Sequence, residues 1–337
     1  MKRFVLIAAL VVIGFSAYCG GLSEEDLVNE KIISLDGIHN ISISYQNDRV
    51  TVLKSDTSSL ILKEYMSEDK LDYYAKINTE GGNLSIDSGR RPIMSYGNFF
   101  ARAEIYVPEF YDEKLSIKTD NGSIIIDSVN GMINARTSNA SINVKNVDGT
   151  IEARTSNGSI DLDSVKGNVS AQTSNGSIDL KNVDGIVDVR TNNGRIVIDS
   201  VIGNTNAETS SGSIVLTHVD GAVDARSSNG SIRINSVKGK IDAETSNAKI
   251  ECTLDDVAGD ITLSTNNASI DLNIPSNMDF QFTARTTNGR VRTSFDEALS
   301  RSANDDHLYR GIVGRGIDPS IAIDLKTENG SILVDWN

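Results

Sequence analysis

From Thr119 onward, apolar and polar residues alternate in short bursts separated by Gly-, Ser- and Asn-containing clusters. In "TSNGSIDLDSVKGNVSAQ", residues 155–172, the apolar positions are Ile160, Leu162, Val165, Val169 and Ala171; the next phrase repeats them as Ile178, Leu180 and Val183. Alternation at period two marks half-buried strands, and the intervening clusters mark turns. Phrases open at Thr119, Thr137, Thr155, Thr173, Thr191, Thr209, Ser227 and Thr245 at steps of eighteen residues, and again at Thr265, Thr286 and Thr327 after insertions. Each phrase divides into two nonapeptides, with Gly fourth (Gly158, Gly167), an apolar residue sixth (Ile160, Val169) and a small or apolar residue eighth (Leu162, Ala171).

Two strands and two turns return the chain to its start one layer up. The pattern therefore predicts an all-β fold, a single-stranded parallel β-helix (β-solenoid) of 18-residue coils. Like residues stack on like: Ile160 under Ile178, Leu162 under Leu180, Val165 under Val183. About ten coils at about 4.8 Å each make a rod about 50 Å long. The turn residues are Asn157-Gly158, Asn175-Gly176, Gly167 and Gly185, with Asn-Gly suited to the positive φ angles of a tight turn. Ala replaces that Gly at Ala140, Ala248 and Ala268, so Asn is expected to carry the strained angle there. Stacked in register, the Asn side chains would form a hydrogen-bonded ladder.

Residues 22–118 do not keep the period but remain β-rich; they are expected to form an N-terminal cap with imperfect coils, since a solenoid end must be covered. "LSEEDLVNEK" in this region reads as a short helix or a tether. Regular repeats occupy 119–293. Residues 294–316, "SFDEALSRSANDDHLYRGIVGRG", read as a loop insertion with a helical turn at 296–300. Residues 317–337 resume as a closing coil, on which Trp336 is expected to form the cap.

Composition supports short strands over long helices: 39% of residues are apolar, only 5% are aromatic, and there are 27 Gly against four Pro. The net charge of −14 disfavours nucleic acid and anionic lipid headgroups as partners. The first 21 residues, "MKRFVLIAALVVIGFSAYCGG", have the plan of a signal peptide, with Lys2 and Arg3 before an apolar run. Cys19 before Gly20-Gly21 makes it a lipidation candidate, and a lipid anchor there is the one membrane contact expected. Tyr18 stands where a lipoprotein signal wants a small residue, and ordinary cleavage near Gly21 is the other reading. Cys252 is the only further cysteine, so it has no disulfide partner in the mature chain unless Cys19 stays unlipidated.

The phrase TSNGSI, the apolar pair after it, the Val-x-Gly turn and the Ile-x-Ala strand resemble the bacterial putative-adhesin family of β-strand-repeat domains. "IYVP" before the first coil and the closing "IDLKTENGSI" are similar to it too, over roughly positions 40 to 337. The resemblance implies an exported solenoidal envelope protein and brings no catalytic residues with it.

The repeat constrains the chemistry the chain can carry. The calcium β-roll pattern needs Asp at the sixth position, where this chain has Ile160, Val169, Ile178 and Val187. Asp161, Asp163 and Asp179 face outward, as a solvated acidic surface or a loose calcium site. An ice-binding face would need an uncharged array, whereas the outward row of the second strand runs Arg136, Arg154, Gln172, Arg190, Glu208, Arg226, Glu244. Beside it, Glu152, Asp188, Asp224 and Asp242 suggest cross-coil ion pairs. Of the histidines, His39 is given no role, His218 sits in a turn, and His307 near Asp305 and Asp306 is a weak metal suggestion. Cys252 falls at a core position. The reading is therefore a non-enzymatic exported envelope module, a surface adhesin for a protein or glycan ligand, with no cofactor. A structural or sensory envelope scaffold is the alternative, and a carbohydrate-active β-helix enzyme the third.

Overall fold

A computed structural model describes residues 22–92, 99–295, 299–305, 307–314 and 319–337. Among these residues, helix is limited to two three-residue turns, Glu24–Asp26 and Leu71–Tyr73. The strands form two long, mostly parallel sheets of 15 and 16 strands, enclosing one continuous apolar core.

Each repeat gives one strand to each sheet. Ile160–Lys166 lies in the first and Val169–Gln172 in the second. Ile160, Leu162 and Val165 are buried from one side, Val169 and Ala171 from the other, as are Ile178, Leu180 and Val183 in the next layer. The step from Leu162 to Val165 is three residues, which a flat strand would put on opposite faces. Ser164 resolves this with φ 59°, a left-handed kink that turns Val165 back inward. Ser128, Asn146, Asn182, Ser200, His218 and Ser236 do the same in their layers. Ser and Asn (and here His) have short or planar polar side chains that tolerate this region better than β-branched residues do.

Stacking is parallel and in register. Ile160 pairs with Ile142 below and Ile178 above, Ala171 with Ala153 and Val189, each partner eighteen residues away. Cys252 lies in the Leu162 column, between Ile234 and Leu272.

At both ends the chain leaves sequential stacking. Strand Ala322–Lys326 is inserted between Ile261–Thr265 and Phe280–Arg285. Likewise Ile332–Trp336 sits between Ile270–Ile274 and Val291–Thr293. The closing coil is thus an inner layer, not the outermost one. Trp336 joins Phe280 and Phe295 in an aromatic cluster, with centroids 6.2 and 4.9 Å away. The other end mirrors this: Asn40–Ser44 lies between Asn83–Asp87 and Lys114–Lys118, and Arg49–Ser55 between Ala101–Pro108 and Ile124–Asp127.

Antiparallel strands finish each end. Ser59–Met66 and then Leu27–Ser34 continue the first sheet, so "LSEEDLVNEK" is one short turn followed by an edge strand. Lys76–Glu80 closes the second sheet at that end. At the far end, Leu308–Val313 pairs with Phe280–Arg285 and with Leu299–Asp305. The segment expected as a loop insertion therefore contains a β-hairpin. Its alternating "LYRGIV" supplies the strand, and pairing occupies a row of backbone groups that would otherwise be left bare. The helical turn expected at 296–300 falls partly outside the described residues, and Ser300 is in a strand.

Candidate functional site

One long edge of the rod is built from the Thr-Ser-Asn-Gly corner. Thr155 is buried, and its hydroxyl donates to the Ala140 carbonyl at 3.0 Å while accepting from Gly158 N–H at 3.2 Å. Thr173, Thr191, Thr209 and Thr245 make the same carbonyl bond one layer up each time. The Thr column thus faces inward and holds the corner, which removes it from any ice-like face. Asn157 and Asn175 do not have positive φ, contrary to the tight-turn expectation. Their amides form a ladder instead: Asn139 donates to Asn121, Asn157 to Asn139, Asn175 to Asn157 and Asn193 to Asn175, all at 2.6–2.8 Å. Ser211 interrupts the ladder, which resumes from Asn247 to Asn229 at 2.9 Å. Gly158 and Gly176 are needed for space, not for angle. A Cβ on Gly176 would lie 1.8 Å from the Gly158 carbonyl oxygen in the layer below. The left-handed glycine of the repeat is in the other corner, where Gly167 has φ 138° and Gly185 φ 155°.

Beside this Thr corner runs a groove of 570 Å³. Lys118, Arg136, Arg154, Gln172 and Arg190 form one wall, and Ser138, Ser156, Ser174 and Asn192 the other. Behind the arginines, Glu152 meets Arg136 at 3.3 Å and also pairs with Arg154. Asp188 and Glu208 meet Arg190 at 3.5 and 3.6 Å, and Asp224 meets Arg226 at 2.6 Å. The ion pairs run both within a coil and between coils. All lie at the surface, partly or fully exposed, and each is worth about 0–1 kcal/mol.

The opposite edge carries the left-handed kinks and a groove of 770 Å³. Here successive layers alternate in type. Asp163 accepts from Ser164 of its own layer and from Asn182 of the next at 2.9 Å. Asp127 accepts in the same way from Asn146, and Asp199 pairs with Ser200 and His218 Nδ1 at 3.0 Å. The hydrogen bond from Asn182 holds the Asp163 carboxyl below the usual carboxylate range, and the one from His218 does the same for Asp199. His218 is therefore a kink residue with an acidic partner.

The remaining flagged residues are dispersed. Asp179 is pushed up by burial and by Asp161 one layer below. His39 lies 3.1 Å from Glu113. The His307 carbonyl accepts from Thr286 N–H at 2.9 Å; Asp306 and Cys19 lie outside the described residues. Among the described residues, no group of three or more His, Cys, Asp or Glu is placed to hold a metal. Cys252 is fully buried, and burial pushes its thiol up to about 12. Among the described residues, no helix is long and apolar enough to cross a membrane.

A family model described as Toastrack DUF4097 matches residues 38–225 and 220–335. The chain belongs to the Toastrack DUF4097 family. Two solved structures resemble this toastrack chain. One is a putative cell adhesion protein from Clostridium sporogenes ATCC 15579, at 11% identity and TM-score 0.23, covering 92% of this chain and 98% of that one. The other is a putative adhesin from Bacteroides fragilis NCTC 9343, at 11% identity and TM-score 0.33, covering 94% and 99%. No curated protein matches.

One feature of the toastrack chain had no signal in the repeat. In the N-terminal cap, Arg91 bridges Asp48 and Glu64, all three buried. Glu64, fully buried, also accepts from Tyr45 Oη at 3.0 Å, Asn29 Nδ2 at 2.7 Å and Ala75 N–H at 2.9 Å. Burial and the Glu64 carboxylate push the Tyr45 hydroxyl well up, and burial pushes the Asp48 carboxyl up against the pull of Arg91. Glu64 occupies an inward place in "SLILKEYM", where alternation alone would demand an apolar residue. Buried charge of this kind persists only when fully paired, and it ties together five segments, those of Asn29, Tyr45 with Asp48, Glu64, Ala75 and Arg91.

Proposed function

We propose that this chain is a non-enzymatic, exported surface-interaction module, a rod of 18-residue coils that displays its variable outward side chains to a protein or glycan ligand. The observation that carries the reading is how the repeat spends its polar groups. The hydroxyls of the corner Thr column, the amides of the Asn ladder and the kink-side Asp carboxylates are bonded to neighbouring coils. What varies from layer to layer is the outward-facing rows, which run the length of both edges. The family membership and the names of the two resembling structures support the same reading. An exported location agrees with the signal-like first 21 residues, and Cys19 is the proposed anchor point.

The test is attachment of the purified full chain to intact cell surfaces and to a glycan array, with a polysaccharide-cleavage assay alongside. Saturable attachment without release of reducing ends is expected. Release of reducing ends would overturn the non-enzymatic reading. Failure to attach, combined with recovery of a fixed membrane partner, would replace the adhesive role with a scaffold.

A further inference from the structure

The two edge grooves differ in charge. The kink-side groove is lined by Lys166 and Lys238 but also by Asp184, Asp220, Asp255 and Asp256, so it is acidic on balance. The groove at the Thr corner is lined by Lys118, Arg136, Arg154 and Arg190, with no carboxylate among its lining residues. In a chain of net charge −14, this is a local reversal of sign.

Resting on the surface-module reading, we propose that this groove is a track for a linear acidic polysaccharide bearing one carboxylate per sugar. The basic side chains stand in one column, Lys118 against Arg136, Arg136 against Arg154, then Gln172 and Arg190. Consecutive members are about 4.8 Å apart, a spacing close to one sugar of an extended glycan. Guanidinium groups bind carboxylates through paired, charge-assisted hydrogen bonds. The facing wall of Ser138, Ser156, Ser174 and Asn192 offers hydroxyl and amide partners to sugar hydroxyls. The arginine side chains are about half exposed, at 50, 42 and 51% for Arg136, Arg154 and Arg190, and their present partners are surface carboxylates. Such exposed pairs are weak, so ligand carboxylates can replace them at little cost.

The column also has ends. Past Arg190 the next residue is Glu208, and before Lys118 stand Ser44 and then Asp87. The track therefore covers four coil steps, about 19 Å. Nucleic acid fits less well. Among the described residues, no aromatic side chain lines the groove for base stacking.

The experiment measures binding of oligogalacturonate, its fully methyl-esterified form and a single-stranded DNA oligomer to the full chain. The comparison proteins are an Arg136→Ser/Arg154→Ser/Arg190→Ser variant and an Arg226→Ser control outside the track, with thermal melts confirming that both fold. Expected is salt-sensitive oligogalacturonate binding, lost with esterification, weakened on the order of tenfold by the triple substitution and unchanged by Arg226→Ser. Absence of that binding, equal binding of the ester, tighter binding of DNA, or full retention in the triple variant would each overturn the assignment. If the triple variant still attaches to intact surfaces as the wild type does, the track falls and the surface-module reading stands. If the wild type attaches to nothing, both fall.

Discussion

Asn175 Nδ2 donates to Asn157 Oδ1 at 2.8 Å, joining side chains one coil apart along the exposed edge. Each rung both gives and takes, so Asn175→Asp removes a donor and sets a carboxylate against the Asn157 carbonyl oxygen. The expected loss is about 1–2 kcal/mol, and about 0.5–1.5 for Asn175→Ala. Chemical denaturation of both variants checks this, with the charged variant the weaker.

The two glycines of each repeat separate by mechanism. Gly176 is needed for close approach, yet the chain itself places Ala140, Ala248 and Ala268 at equivalent points. Gly167 combines φ 138° with a Cβ position 2.3 Å from the Gly149 carbonyl oxygen, and its equivalents from Gly131 to Gly239 are all Gly. Gly167→Ala is therefore expected to destabilise by about 2 kcal/mol or more, and Gly176→Ala by less. Equal melting temperatures for the two variants would refute the distinction.

Thr205 occupies the column of Val187 and Val223, and its buried hydroxyl has no hydrogen-bond partner among the described residues. Thr205→Val keeps the shape and removes the orphan polar atom, so it is expected to stabilise by about 1 kcal/mol. A raised unfolding midpoint with an unchanged denaturant slope is the signature.

How much of this was legible in the sequence depends on what each residue's role leaves in the pattern. Ile160, Leu162 and Val165 could be read because burial is periodic, and the Asn ladder followed from equal spacing. Ser164 was not read as the kink, because a left-handed residue leaves only the three-residue gap between Leu162 and Val165 as its trace. Asn157-Gly158 looked like a positive-φ turn because that dipeptide is common in hairpins, whereas here steric contact between layers selects it. Arg91 and Glu64 were invisible because their pairing joins segments with no shared period.

The kink-side carboxylates give a pH prediction. Asp199 is held low by hydrogen bonds from His218 and then Ser200. A depressed carboxyl stabilises the fold above its unfolded pKa of about 3.9, and that contribution disappears as pH falls through the folded value. His218→Ala should move the Asp199 titration upward, seen by carbon NMR of the carboxyl groups, while Asp163, bonded to Asn182, stays put. Movement of both carboxyls together would show that the layers are not independent there.

The most direct measurement of the stacked repeat is deletion by whole and broken layers. Removing residues 173–208 takes out two coils and leaves Gln172 followed by Thr209, which restores every column and the alternation of Asp with Asn or His. Removing residues 173–199 takes out one and a half and feeds a strand of one sheet into the place of the other. In small-angle scattering and thermal melts, the first deletion should give a cooperatively folded rod shorter by about 10 Å, and the second should not fold. A folded product from the second, or an unfolded one from the first, would contradict the eighteen-residue coil as the unit of the fold.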